Sequence, residues 1–212
     1  MEHDFWHNKW ASGQIGFHQA YYNAFLVRHF ESLKLTTGDT VFVPLCGKTK
    51  DIHWLLNQGL KVIGCELNED AVKALFNDLN LEPEVTRIDG LQRYCAGPLT
   101  VWVGDFFRLE AHHLHRVDAV YDRAALVALP PDMRVRYTEH LLKMTCNAPQ
   151  LLITYCYDQT IVSGPPFSVP DAEVEQHYSG VFTLSRLESE SETLGMKGKA
   201  DCTESCWILT PH

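Results

Sequence analysis

The chain has no apolar run long enough to span a bilayer, and no apolar signal segment opens it. It has no excess of positive charge: 18 Lys and Arg stand against 27 Asp and Glu, a formal charge of −9. That balance argues against a nucleic-acid partner, which requires a basic footprint, and against an anionic membrane surface. It has no internal repeat, low-complexity tract or linker, so its 212 residues are expected to form one domain around a full core. Its seven cysteines are odd in number and scattered, which fits reduced thiols in a cytoplasm better than a disulfide framework. It also lacks Gly-x-Gly-x-x-Gly, and no glycine is followed by four free positions and then Gly-Lys-Ser/Thr. A pyrophosphate would find too few bare backbone amides to approach.

What is present centres on residues 40–66. Val41 to Val43 is an apolar, β-branched run of the kind a buried strand shows, and it stops at Pro44. Gly47 allows a tight turn and close approach of a ligand. Ile52, Leu55 and Leu56 follow at helical spacing, and Gly59 ends that helix. Val62 to Cys65 is a second strand and delivers Glu66 at its carboxyl end, about 20 positions after the turn. This is half of a doubly wound nucleotide-binding unit. A carboxylate at that tip can accept hydrogen bonds from both hydroxyls of a ribose, though a strand-end acid can equally be a solvated charge. A single glycine suits an adenosine ligand without phosphates, such as S-adenosylmethionine.

The rest alternates in the same way. Asn68 can cap a helix to about Leu79, residues 86–96 carry short strand-like pieces around Gly90, and Leu99 to Val103 is a strand leading to Asp105 and Phe106. Those two residues can contact an adenine, or be a helix cap and a core phenylalanine. Val117 to Tyr121 is a strand delivering Asp122 and Arg123. Arg123, a fixed cation with a planar fork of donors, can hold a ligand carboxylate or pair with a local acid. A helix is expected over 131–145, a strand over 150–156, a helix over 171–177, and an antiparallel pair from 181–187 and 206–210, with the acidic residues 188–192 in a solvated turn. Before the core, Tyr22, Phe25, Leu26, Phe30 and Leu33 mark one face of a helix over about 19–33. His112, His113 and His115 cluster, but no acidic or cysteine partner stands at ligand spacing nearby, so no metal is expected.

Three stretches together resemble a known family. Val-Pro-Leu-Cys-Gly-Lys (43–48), Phe-Trp-His-Asn-Lys-Trp (5–10) and Asp-Arg-Ala-Ala-Leu-Val-Ala-Leu (122–129) are similar, in order and spacing, to the bacterial thiopurine S-methyltransferases. The resemblance implies a three-layer α/β fold of the class I methyltransferase type, with a mostly parallel doubly wound sheet, a C-terminal antiparallel pair and an N-terminal helical lid over residues 1–39. It implies S-adenosyl-L-methionine as cofactor, with Trp10, Leu45, Gly47, Glu66, Asp105, Phe106 and Arg123 around it. It implies Phe17, Arg123 and the proline-rich loop 163–170, with Pro166 and Phe167, at the acceptor. Without it, Trp10 and Phe17 read as aromatics fixing an N-terminal segment to the core, and the loop as a connector. No general base is implied. The acceptors implied are thiopurines and other aromatic or heterocyclic thiols, with selenium and tellurium compounds beside them, and a monomer is expected. A second arginine that the family can place near the acceptor has no match; this stretch holds Glu192, Lys197 and Lys199 instead. A non-catalytic S-adenosylmethionine sensor, and a nicotinamide-dependent dehydrogenase on a similar sheet, are the competing readings.

Overall fold

The computed structural model describes residues 3–12 and 19–212, with the side chains of residues 3 and 4 left aside. In chain order the elements are α1 (His3–Ala11), α2 (Ala24–His29), β1 (Thr40–Val43), α3 (Lys50–Asn57), β2 (Lys61–Glu66), α4 (Glu69–Asp78), β3 (Glu84–Ile88), β4 (Leu91–Ala96), β5 (Leu99–Val103), α5 (Ala111–Leu114), β6 (Ala119–Asp122), α6 (Pro131–Thr145), β7 (Gln150–Tyr157), α7 (Asp171–Tyr178), β8 (Phe182–Met196) and β9 (Ala200–Pro211). The nine strands form one sheet in the order β3-β4-β5-β2-β1-β6-β7-β9-β8. From β5 to β7 every neighbouring pair is parallel, and the pairs at both ends are antiparallel. The chain winds outward from β1 through β2 to β5, then returns to the other side of β1 with β6. The crevice between β1 and β6 is therefore the switch point, where ligands bind in such sheets.

Alternation within single strands builds the three layers. On β1, Val41 and Val43 join one core with Ile52, Leu55, Val72 and Phe76, beneath α3 and α4. Phe42 points to the opposite core with Tyr137, Leu141, Val174 and Tyr178, beneath α6 and α7. Both faces of the sheet are covered, which is why its inner strands read as unbroken apolar runs.

Two expectations are corrected, and the strand-like pieces around Gly90 are resolved. The helix expected over 19–33 is shorter, because Asn23 Oδ1 accepts from Leu26 N–H and starts α2 one turn later; Phe30–Leu33 is a 3-10 turn and Tyr22 is exposed. The acidic stretch 188–192 is no turn but the middle of the edge strand β8, paired residue for residue with β9. Charged side chains on an edge strand oppose further pairing, and here Glu188 and Glu190 also take up Arg28 at 3.0 and 2.6 Å. Residues 84–96 form a regular hairpin whose turn is Asp89-Gly90, both at positive φ (51° and 80°).

At the end of β6, Asp122 is fully buried and accepts from Tyr137 Oη at 2.7 Å and Leu126 N–H at 3.1 Å. Burial pushes its pKa up from an ordinary 3.8 to about 6, against the pull of those donors. The stability it contributes is complete below its unfolded pKa and is lost as pH rises through its folded pKa of about 6. Asp122→Asn keeps the size and one acceptor and removes the titration. Urea unfolding should show the wild type losing up to about 3 kcal/mol relative to this variant between pH 4 and pH 7.5, at about 1.4 kcal/mol per pKa unit. Equal pH slopes for the two proteins would contradict it.

Candidate active site

The carboxyl ends of β1, β2, β5 and β6 open into a cavity of about 530 Å³, a size that suits a cofactor together with a small acceptor. At its floor, the Glu66 carboxylate accepts from Gly47 N–H (2.7 Å, Oε2) and from Asn68 N–H (2.8 Å, Oε1). One side chain thus ties the turn after β1 to the turn after β2. Glu66 is 6% exposed, and burial pushes its pKa up against those hydrogen bonds. Cys46 N–H donates to Cys65 O at 2.9 Å and draws the first turn across. Leu45 and Gly47 both hold positive φ, 46° and 51°.

A β-carbon at Gly47 would lie 3.0 Å from Trp10 Cζ2, so the indole rests on the bare turn. His7 Nδ1 lies 3.3 Å from Asn68 Nδ2 and ties α1 to the Glu66 side of the cavity. Trp10 therefore belongs to the cavity wall, beside Trp6 and Lys9. Phe17 lies outside the described residues.

At the end of β5, Gly104 N–H donates to Glu66 O at 2.9 Å. Asp105 Oδ1 accepts from Phe107 N–H and caps the 3-10 turn Phe106–Arg108. Asp105 and Phe106 both line the cavity, and Phe106 is also packed against Tyr137 at 4.8 Å. The two readings of this pair, cap and core or ligand wall, hold together.

Arg123 lines the cavity from the end of β6 and is 9% exposed. Its acidic partner is neither Asp122 nor a surface residue. It is Asp51 of α3, buried, with Oδ2 3.5 Å from Nη1. Asp51 is itself fixed by Asn23 N–H at 2.7 Å and Tyr121 Oη at 3.0 Å. Sequence reasoning missed Asp51, which is separated from Arg123 in the chain by five strands and two helices.

It also missed Tyr155 of β7 and Met196 at the end of β8; with Lys197 of the β8–β9 turn, named above only by its stretch, they line the cavity. Lys197 reaches it because β8 runs on past residue 192; its Nζ donates to Ser163 O at 3.1 Å. Desolvation, then Lys9 and Lys199, push its pKa down. Of the proline-rich loop, Pro165 and Pro166 line the cavity. Phe167 is not among the lining residues: its N–H donates to Val127 O at 2.6 Å and its ring lies over Gly164. Burial pushes the thiols of Cys46 and Cys65 well up, and the Tyr155 hydroxyl up as well, so none of them offers an anion at neutral pH. His112 and His113, away from this cavity, do have an acidic neighbour: the hairpin turn brings Asp89 to 2.9 and 3.4 Å from them.

The profile of the family described as Thiopurine S-methyltransferase (TPMT) matches residues 1–208. A thiopurine S-methyltransferase of Xanthobacter autotrophicus is 48% identical over 210 residues, covering 99% of both chains. One of Pseudomonas aeruginosa is 47% identical over 200 residues, 94% of this chain and 91% of the relative. Among solved structures, the fold is similar to the 1,6-didemethyltoxoflavin-N1-methyltransferase of Burkholderia thailandensis, which was crystallised with S-adenosylhomocysteine; the TM-score is 0.67 at 14% identity, over 99% of this chain and 87% of that one. A TehB-like methyltransferase of Corynebacterium glutamicum gives a TM-score of 0.57 at 13% identity, over 99% of this chain and 95% of that one.

Gly47→Ala should strain the turn and displace the indole of Trp10. A non-glycine residue at this left-handed φ costs roughly 1–2 kcal/mol. The unfolding midpoint should fall accordingly and the tryptophan emission should shift; an unchanged midpoint and spectrum would remove Trp10 from the turn.

Proposed function

Because the chain belongs to the thiopurine S-methyltransferase family, we propose that it moves the methyl group of S-adenosyl-L-methionine onto the sulfur of aromatic and heterocyclic thiols, thiopurines among them. The observation that carries this reading is the Glu66 carboxylate at the bare Gly47 turn, with Arg123 across the same cavity. The cofactor supplies a methyl group activated by a positively charged sulfur. Glu66 has lone pairs left for ribose hydroxyls, and the bare Gly47 lets the Trp10 indole lie against the turn beside it. Asp105 is an acceptor for an adenine amino group and Phe106 a surface for its ring. The face of Trp10 attracts a cation such as a sulfonium.

The acceptor side is apolar, with Val127, Leu129, Met133 and Met196 around it, and this wall excludes water. Arg123 and Lys197 are cations on this side, with Lys9 near Lys197. Arg123 is already shared with Asp51, so Lys197 takes the larger part in holding the acceptor's negative end, where the family's second arginine has no match. Opposite charge nearby lowers a thiol's pKa. Among the described residues, the cavity's carboxylates, Glu66 and Asp105, stand on the nucleoside side, so the acceptor enters as its thiolate and attacks the methyl carbon in line. The thiolate's electron pair forms the new carbon–sulfur bond, and the old bond's pair returns to the sulfonium, leaving S-adenosylhomocysteine. The chain's part is alignment and exclusion of water. Selenium and tellurium nucleophiles, which ionise more readily still, fit the same displacement.

Labelled-methyl transfer to a panel of aromatic thiols tests this. The wild type should label thiols in preference to alcohols of the same shape. Trp10→Ala should weaken cofactor binding about tenfold or more, by calorimetry, with a smaller effect on unfolding. Arg123→Ala and Lys197→Gln should raise KM for the thiol more than for the cofactor. Tight cofactor binding without transfer to any thiol would make the protein a sensor and contradict the proposal.

A further inference from the structure

Asp89, His112 and His113 lie outside the methyl-transfer cavity and take no part in it. One ligand atom from each lies within 4.8 Å of the other two. Asp89 Oδ2 is 2.9 Å from His112 Nε2 and 3.4 Å from His113 Nε2. Ligand atoms around a four-coordinate zinc, each about 2.0–2.1 Å from the ion, stand about 3.4 Å apart. The imidazoles are close neighbours, with ring centroids 4.0 Å apart at 33°. The cluster is held from behind. Arg108 Nη2 donates to Asp89 O at 2.9 Å and fixes the hairpin turn. The His113 ring meets Trp102 edge-on at 4.8 Å, and its Nδ1 accepts from Glu110 N–H at 3.0 Å. His112 Nδ1 lies 3.5 Å from a Glu110 carboxylate oxygen, the outer contact that orients a ligating imidazole. The His113 side chain is 1% exposed, yet its Nε2, aimed at Asp89, has no hydrogen-bond partner.

We propose that Asp89, His112 and His113 bind one divalent transition-metal ion of the zinc type, with solvent as the fourth ligand. Two imidazoles and one carboxylate suit zinc, cobalt or nickel; magnesium and calcium take oxygen donors instead. The cation occupies the point at which Nε2 of His113 is left unsatisfied. Binding there moves the ring proton of neutral His113 from Nε2 to Nδ1, and Glu110 N–H gives up its acceptor. The ion joins the β3–β4 turn to α5, which follows the cavity-lining residues 105–107 in the chain.

Cobalt(II) titration of the full-length, reduced protein tests the site, because cobalt reports its ligands by absorption and the seven cysteines are competing ligands. The expected result is one cobalt per chain with visible d–d bands, no thiolate charge-transfer band, and displacement by zinc. Asp89→Asn and His112→Ala change exposed side chains, so the fold should persist with an unchanged unfolding midpoint. Each should weaken cobalt binding about tenfold or more while methyl transfer continues. A thiolate band, binding unchanged in both variants, or no binding at millimolar cobalt would overturn the site.

Discussion

One buried carboxylate ties the cavity together. Glu66 ends β2 and receives an amide from each of two turns, Gly47 after β1 and Asn68 at the start of α4. Its own carbonyl takes a third amide, from Gly104 after β5. Three strand ends are thus fixed through one residue. Withdrawing this carboxylate from water is costly, as the upward pull on its pKa shows. Two backbone donors offset part of that cost, and a nucleoside's hydroxyls would offset more. A ligand held by Glu66 would therefore couple its binding to local order through the same two oxygens.

The opposite side of the switch point repeats the logic with reversed charge. Arg123 is nearly buried, and Asp51 balances it from α3 while being fixed by Tyr121 and the Asn23 backbone. A cation so anchored keeps its direction but shares its charge. Lys197, donating to a backbone carbonyl rather than to a carboxylate, keeps more of its own. Asp122, adjacent in sequence to Arg123, turns the other way and serves Tyr137 and Leu126 beneath α6. Two neighbouring charged residues thus do separate work because successive side chains of a strand point to opposite faces.

Much of this was legible in the sequence. Buried parallel strands are short apolar runs, so β1, β2, β5, β6 and β7 stood out within about two residues of their ends, and Glu66, Asp105 and Arg123 followed from being next in line. The edges were harder. On β8 the acids face solvent or Arg28, and nothing apolar marked them as strand. Asp89-Gly90 is a hairpin signal that was there to be read between Ile88 and Leu91. Reading it would also have put an acid within reach of His112. Asp51 was hidden for another reason: its role depends on a contact across the sheet, and no local pattern carries it. Lys197 was visible by its stretch, but its place at the cavity depends on the length of a hairpin. Phe167 shows the converse, an aromatic in a loop beside the cavity whose ring folds back over Gly164.

The central claim is that Glu66 and the Gly47 turn grip the nucleoside of S-adenosylmethionine. A crystal structure of the complex with S-adenosylhomocysteine tests it most directly. The ribose hydroxyls should lie within hydrogen-bonding distance of the Glu66 carboxylate, and the ligand's sulfur on the Arg123 side of the cavity. A ribose seated anywhere else, with Glu66 still bound only to Gly47 and Asn68, would contradict it.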